Sequence, residues 1–185
     1  MLSAKAVGGW HGTGRGRGEV VGEQPAVRRV VTGRDDDGNI TIVADSAAPA
    51  VTELPAAPGS ALIDLWRDDS LPPDVTRSDD PTLGAFELMP DGTVFRVIDL
   101  AWTDAEPMWH ETASIDFVYV ASGRCTFLSA AGAVDLVAGD SIVVRGGQHA
   151  WVNRDAELCR LIDVSVAVPE PADVTLAWPD PPPAD

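Results

Sequence analysis

Basic residues are scarce in this chain. Its 13 Lys and Arg stand against 29 Asp and Glu, for a formal net charge of −16. Binding to nucleic acid or to an anionic membrane needs clustered cations that meet phosphate, so both are excluded as partners. Long apolar runs are missing as well. No stretch approaches the roughly 18 residues of a membrane-crossing helix. Met1–Gly18 carries Gly and Arg where a secretory signal would carry an apolar segment. These absences point to a cytoplasmic protein. Only two cysteines occur, Cys125 and Cys159, with neither CxxC nor zinc spacing. Each lies in an apolar, strand-like stretch, which predicts buried, reduced thiols.

With 185 residues, 45% of them hydrophobic, one domain with a sizeable core is expected. Residues 1–27 stand apart. The run His11-Gly12-Thr13-Gly14-Arg15-Gly16-Arg17-Gly18 lacks the Walker pattern and no apolar strand precedes it, so no nucleotide cofactor is expected. It reads as a flexible extension. From Arg28 to Val168 short β-rich runs follow one another: 28–32 and 40–43 around an Asp-rich hairpin loop, then 62–66, 85–89, 93–100, 114–120, 124–128, 134–137, 141–144 and 158–168. Residues 47–60 and 68–81, rich in Pro or Asp, read as irregular connections. No stretch has a 3.6-residue apolar period. Many short strands with Gly turns make the fold class all-β, a sandwich or barrel. Pro169–Asp185, with Pro-Asp-Pro-Pro-Pro at 179–183, forms a Pro-rich tail that cannot continue a sheet; its Trp178 is a candidate for docking on a neighbouring surface.

Histidine is nearly as scarce as cysteine, and its placement carries the functional reading. Of the three, His110 and His149 bracket a strand-rich stretch. Along a strand, residues i and i+2 share a face, so His110, Thr112, Ser114 and Asp116 point one way, and His149, Trp151 and Asn153 share another face. A closed barrel would bring His110, Asp116 and His149 toward a common point. Two imidazoles and a carboxylate suit a divalent transition metal, Fe, Zn, Mn or Ni. Without metal, Asp116 would orient an imidazole that serves as general base. Trp151 would wall an apolar pocket, and Arg160, if inward, would bind substrate anions or pair with Asp163 or Asp116.

The stretches 109–123 and 139–153 resemble the two signature motifs of the cupin superfamily. The first has the form G-x5-H-x-H-x3–4-E-x6-G. His110 takes the first His position, Thr112 the second, Asp116 the Glu position and Gly123 the closing Gly. The second matches at Gly139, Gly146, His149 and Asn153. Departures are Asp104 for the leading Gly, Val144 for Pro, Thr112 for a ligating His, and Asp116 for Glu. The wording His-Glu-Thr-x3-Asp-Phe is similar to that of small single-domain cupins of unassigned function.

The resemblance implies a jelly-roll β-barrel over residues 28–168. It also implies a catalytic or metal-ligating set of His110, Asp116 and His149, with Thr112, Trp151 and Arg160 as substrate contacts. The implied function is a small-molecule enzyme, a metal-dependent lyase or decarboxylase, an isomerase or cyclase, or a dioxygenase. The alternative is a non-catalytic binding or sensor barrel. Exposed edge strands predict a homodimer.

Overall fold

The computed structural model describes residues 20–21 and 24–169. The expectations for His11 and the Gly/Arg-rich run around it, and for the tail with Trp178, lie outside the described residues. In chain order the strands are β1 (Val20–Val21), β2 (Gln24–Pro25), β3 (Arg28–Arg34), β4 (Ile40–Ala47), β5 (Ala50–Glu53), β6 (Ala61–Asp68), β7 (Thr93–Leu100), β8 (Ser114–Ser122), β9 (Arg124–Ser129), β10 (Gly132–Val137), β11 (Ser141–Val144), β12 (His149–Val152) and β13 (Cys159–Ala167). A 3-10 turn covers Pro81–Leu83. The fold is all-β, as the short strands and Gly turns require.

A six-stranded sheet runs β11-β8-β13-β7-β6-β5, and a three-stranded sheet runs β10-β9-β12. The pairings are antiparallel throughout. Together the two sheets form a barrel of the jelly-roll type. Two ribbons, β1-β2 and β3-β4, complete the described strands.

Alternation along β8 buries Ser114, Asp116, Val118 and Val120 and leaves Phe117 and Tyr119 exposed. On β13 the buried set is Cys159, Leu161, Asp163 and Ser165. Both inward faces change character along their length, so the interior has two ends. At one end Leu100, Val118, Val120, Cys125, Leu136, Cys159 and Leu161 form an apolar cluster. Cys125 and Cys159 are free there, and the Cys159 sulfur together with burial pushes the Cys125 thiol up. The other end is polar and is described below.

A second apolar cluster, Ala48, Ala61, Ile63 and Val97, lies on the outer face of the six-stranded sheet and takes in Val27 and Val51. The chain therefore joins the fold before Arg28. Arg29, buried, anchors the β3-β4 ribbon by hydrogen bonds to the Leu65 carbonyl, Asp80 and Thr82. This guanidinium holds the Asp80 carboxyl down at about 2.

Gly123 closes the β8-β9 turn at φ +72°, and a Cβ there would lie 2.5 Å from the Leu158 carbonyl oxygen. A side chain is excluded both by conformation and by space.

Two expected elements differ. Residues 85–89 form no strand, because the carbonyls of Glu87 and Leu88 accept hydrogen bonds from the Arg96 guanidinium and have no neighbouring strand to pair with. Within the connection expected at 47–60, Ala50–Glu53 pairs with β6 as an edge strand.

Candidate functional site

His110 and His149 face each other across an antiparallel bridge. Each backbone N–H donates to the other's carbonyl at 2.9 Å. Directly opposite residues of this kind project their side chains to one side, and the two imidazole centroids lie 4.3 Å apart with planes tilted by 59°. His149 is 3% exposed; Phe127 stacks on it at 5.5 Å, and Trp151 approaches edge-on at 6.4 Å.

The ring nitrogens are sorted by their neighbours. Nδ1 of His110 lies 3.2 Å from the Met108 carbonyl oxygen, and Nδ1 of His149 lies 2.8 Å from that of Gly147. A carbonyl can only accept, so each Nδ1 carries the proton and donates it. In the neutral form of such a ring the lone pair lies on Nε2. Gly146 and Gly147, both at positive φ, make the tight turn that brings the Gly147 carbonyl back onto the ring. Burial pulls the His110 imidazole below its ordinary value, and the His149 ring adds to this; the Met108 carbonyl and Asp116 work against it. The balance favours the neutral form of the His110 ring.

Asp116 does not complete a three-ligand set with the histidines. Its carboxylate accepts a 2.6 Å hydrogen bond from the Ser114 hydroxyl, and it reaches His110 by charge alone. Among the described residues no three His, Cys, Asp or Glu side chains gather in a way that could hold a metal ion. The expected His110, Asp116 and His149 ligand set for Fe, Zn, Mn or Ni is thus not assembled, because strand register sends the carboxylate into the sheet interior beside Ser114 and Ser165. Thr112 sits at the rim with its Oγ1 buried and without a hydrogen-bond partner.

Trp151 packs on the apolar cluster and edge-on to Phe127 at 5.0 Å. Arg160 is placed differently from the expectation. It lies on the outer face of the six-stranded sheet with Ile162, where its guanidinium grips Asp99 through bonds of 2.7 and 2.6 Å. It cannot serve a site inside the barrel or pair with the inward Asp163 and Asp116. Alternation along β13 puts it on the face opposite Cys159, Leu161, Asp163 and Ser165.

The inward polar groups that sequence reasoning missed are Asp64, Arg96 and Asp163. They lie in one row across β6, β7 and β13. Arg96 Nε donates to Asp64 at 2.9 Å, and both side chains are buried. Asp163 accepts from the Ser165 hydroxyl at 2.9 Å through Oδ2, while its buried Oδ1 has no partner. Burial pushes the Asp163 carboxyl up to about 7; Ser165 and Arg96 pull against this, and Asp116 and Asp64 reinforce it. The signal in the sequence is a charge flanked by apolar residues within a strand, as in Leu62-Ile63-Asp64-Leu65 and Leu161-Ile162-Asp163-Val164. Beside this end lies a cleft of about 850 Å³ lined by Leu88, Pro90, Thr112, Ala113, Ala167 and Val168, among others.

No family model matches the sequence. Of the curated proteins, Oryzines biosynthesis cluster protein J of Aspergillus oryzae is 37% identical over 67 residues, 36% of this chain. The chain spans only 37% of that protein's length. Among solved structures, the fold is similar to the Cnp3 cupin domain of Schizosaccharomyces pombe, with a TM-score of 0.48 and 13% identity over 76% of this chain and 88% of that one. It is also similar to an RmlC-like cupin of Shewanella frigidimarina, with a TM-score of 0.43 and 16% identity over 65% of this chain and 85% of that one.

Proposed function

We propose that this small cupin-type barrel is a small-molecule enzyme that moves protons with its own side chains. Isomerase or lyase chemistry at a carbon beside a carbonyl is the reaction class the site supports best. The observation that carries this reading is the histidine pair, whose two Nε2 lone pairs are both fixed by Nδ1–H bonds to main-chain carbonyls. A general base needs a lone pair held in place and unprotonated at working pH. His110, half-buried and pulled below the ordinary imidazole value, meets both needs. His149 backs it at ring-contact distance, and Thr112 Oγ1 is left for substrate. The similarity to a protein of a biosynthesis cluster supports small-molecule chemistry.

The test is exchange of carbon-bound hydrogen from D2O into a panel of hydroxy- and keto-compounds, followed by NMR. His110→Ala is expected to slow exchange by about 100-fold or more, the usual contribution of a positioned base. In the wild type the rate should fall only below the ordinary imidazole range. Exchange that persists unchanged in His110→Ala sinks the base assignment. Binding without exchange in the wild type supports the non-catalytic barrel instead.

The outer face bears on the oligomer. Val143, Phe117, Val164 and Phe95 stand opposite one another on β11, β8, β13 and β7, and they are 54%, 50%, 36% and 40% exposed. Val27 and Ala48, which flank the β3-β4 ribbon, pack only on the neighbouring part of this face. An apolar stripe across four strands is the kind of patch that marks an association site, and packing it against the same stripe of a second copy closes an isologous dimer. Light scattering should show a dimer for the wild type and a folded monomer for Phe117→Asp. A monomeric wild type at all concentrations would refute this pairing.

A further inference from the structure

We propose that Asp163 is the ligand-facing group of the polar end, holding a neutral or cationic small molecule through its hydroxyl or amino hydrogens and turning anions away. This deepens the proton-transfer reading and rests on it for the premise that a small molecule enters this end.

Asp163 is 5% exposed and points inward with Leu161 and Ser165. One carboxyl oxygen is used by Ser165; the other is buried and has no partner. Buried polar atoms are nearly always paired, and an orphan carboxyl oxygen costs the fold unless something donates to it. Thr112 Oγ1, at the rim of the same end, is a second orphan. No packing need explains a carboxylate here, since Val118 lies beside it on β8 and the Asp64–Arg96 pair is complete without it.

The sign of the interior selects the ligand. Facing Asp163 are Arg96 from β7, Asp64 from β6 and Asp116 from β8. Arg96 is committed to Asp64 and to the carbonyls of Glu87 and Leu88. Among the described residues neither Asp116 nor Asp163 has an ion-pair partner, and each is held by a serine hydroxyl. Asp163 itself thus faces one committed guanidinium and two further carboxyls, so a phosphate or carboxylate beside it would meet repulsion. A donor-bearing molecule would meet two open acceptors. With its carboxyl at about 7, Asp163 can also lend a proton to a ligand oxygen near neutral pH.

The test uses the full chain labelled with 13C-aspartate and 15N-histidine, with the Asp163 carboxyl signal assigned by its loss in a folded Asp163→Asn variant. Erythritol and ethanolamine are the probes, and acetate and inorganic phosphate are their anionic counterparts. The expected result is a saturable shift of the Asp163 signal with erythritol or ethanolamine and none with either anion. A comparable shift with an anion overturns the proposal, and so does no shift with either donor-bearing probe. The histidine Nε2 signals report on the other reading separately. If Asp163 responds and the histidines do not, this assignment stands and the histidine reading fails. If the histidines respond and Asp163 does not, the reverse holds.

Discussion

Arg96→Met should cost about 3–5 kcal/mol of stability near neutral pH, the range for removing one partner of a buried ion pair. The reason is what stays behind. Asp64 is buried and its carboxyl already lies above the ordinary range because burial outweighs Arg96. Without the guanidinium, that carboxylate faces Asp163 and Asp116 in the same polar end. The variant also strips the Leu88 and Glu87 carbonyls of their donor and the Phe86 ring of its cation, so protease sensitivity around 84–91 should rise. The pH dependence has a definite sign. A carboxyl whose folded value is raised loses nothing below its unfolded value of 3.8, and destabilises progressively as pH rises above it. The deficit of Arg96→Met is therefore expected to be small near pH 4 and to grow toward pH 8. Replacing both partners, Arg96→Met with Asp64→Leu, should recover most of the loss, because an apolar pair of similar volume often serves as well as a buried ion pair. Urea denaturation across that pH range decides it; a loss below about 1 kcal/mol at pH 7.5 would mean that the pair is not desolvated in solution.

How far the sequence led can be judged strand by strand. Thr93–Leu100 and Ser141–Val144 were readable to the residue because turn formers bracket them, Pro90-Asp91-Gly92 before the first and Gly139-Asp140 before the second. Parity was enough to put Ser114, Asp116, Val118 and Val120 on one face of β8. Local pattern fails where a distant residue decides. Residues 85–89 form a short apolar run like a strand, yet Arg96, distant by several residues, takes the carbonyls of Glu87 and Leu88. On β13 parity does suffice: three residues apart, Asp163 points inward and Arg160 outward to Asp99. His110 and His149 could be paired from the motifs, since strand–turn–strand patterns survive in sequence. Their approach to 4.3 Å and the choice of Nδ1 as donor depend on main-chain carbonyls that no motif records. The Asp64, Arg96 and Asp163 row was invisible for a related reason. Each is a single charge in a different strand, 32 residues separating the first two, and only sheet order places them side by side.

Asp163→Asn is expected to be more stable than the wild type at pH 8 and less stable than it, by about 1–3 kcal/mol, below about pH 4. The wild-type carboxyl is raised from 3.8 to about 7 by burial. Between those values the unfolded chain has released its proton and the folded chain has not, so wild-type stability falls as pH rises and levels off only above pH 7. At about 1.36 kcal/mol per pH unit, the full span is on the order of 4 kcal/mol. An amide cannot ionise, so the variant avoids this loss. Its NH2 group enters a place where Oδ1 had no partner, and an unmet buried donor costs about 1–3 kcal/mol. The net gain at pH 8 should then be about 1–3 kcal/mol. Two curves of unfolding free energy against pH, the variant lying below the wild type in acid and crossing above it as pH rises toward 7, are the expected record. Parallel curves would mean that Asp163 titrates like an exposed carboxylate. Adding Asp116→Asn separates the contributions, since Asp116 is one of the charges that raise Asp163; its removal should flatten the wild-type slope without abolishing it. A chain that carries a destabilising carboxyl at neutral pH, with an apolar residue next to it on the same row, is holding that group for something other than its fold.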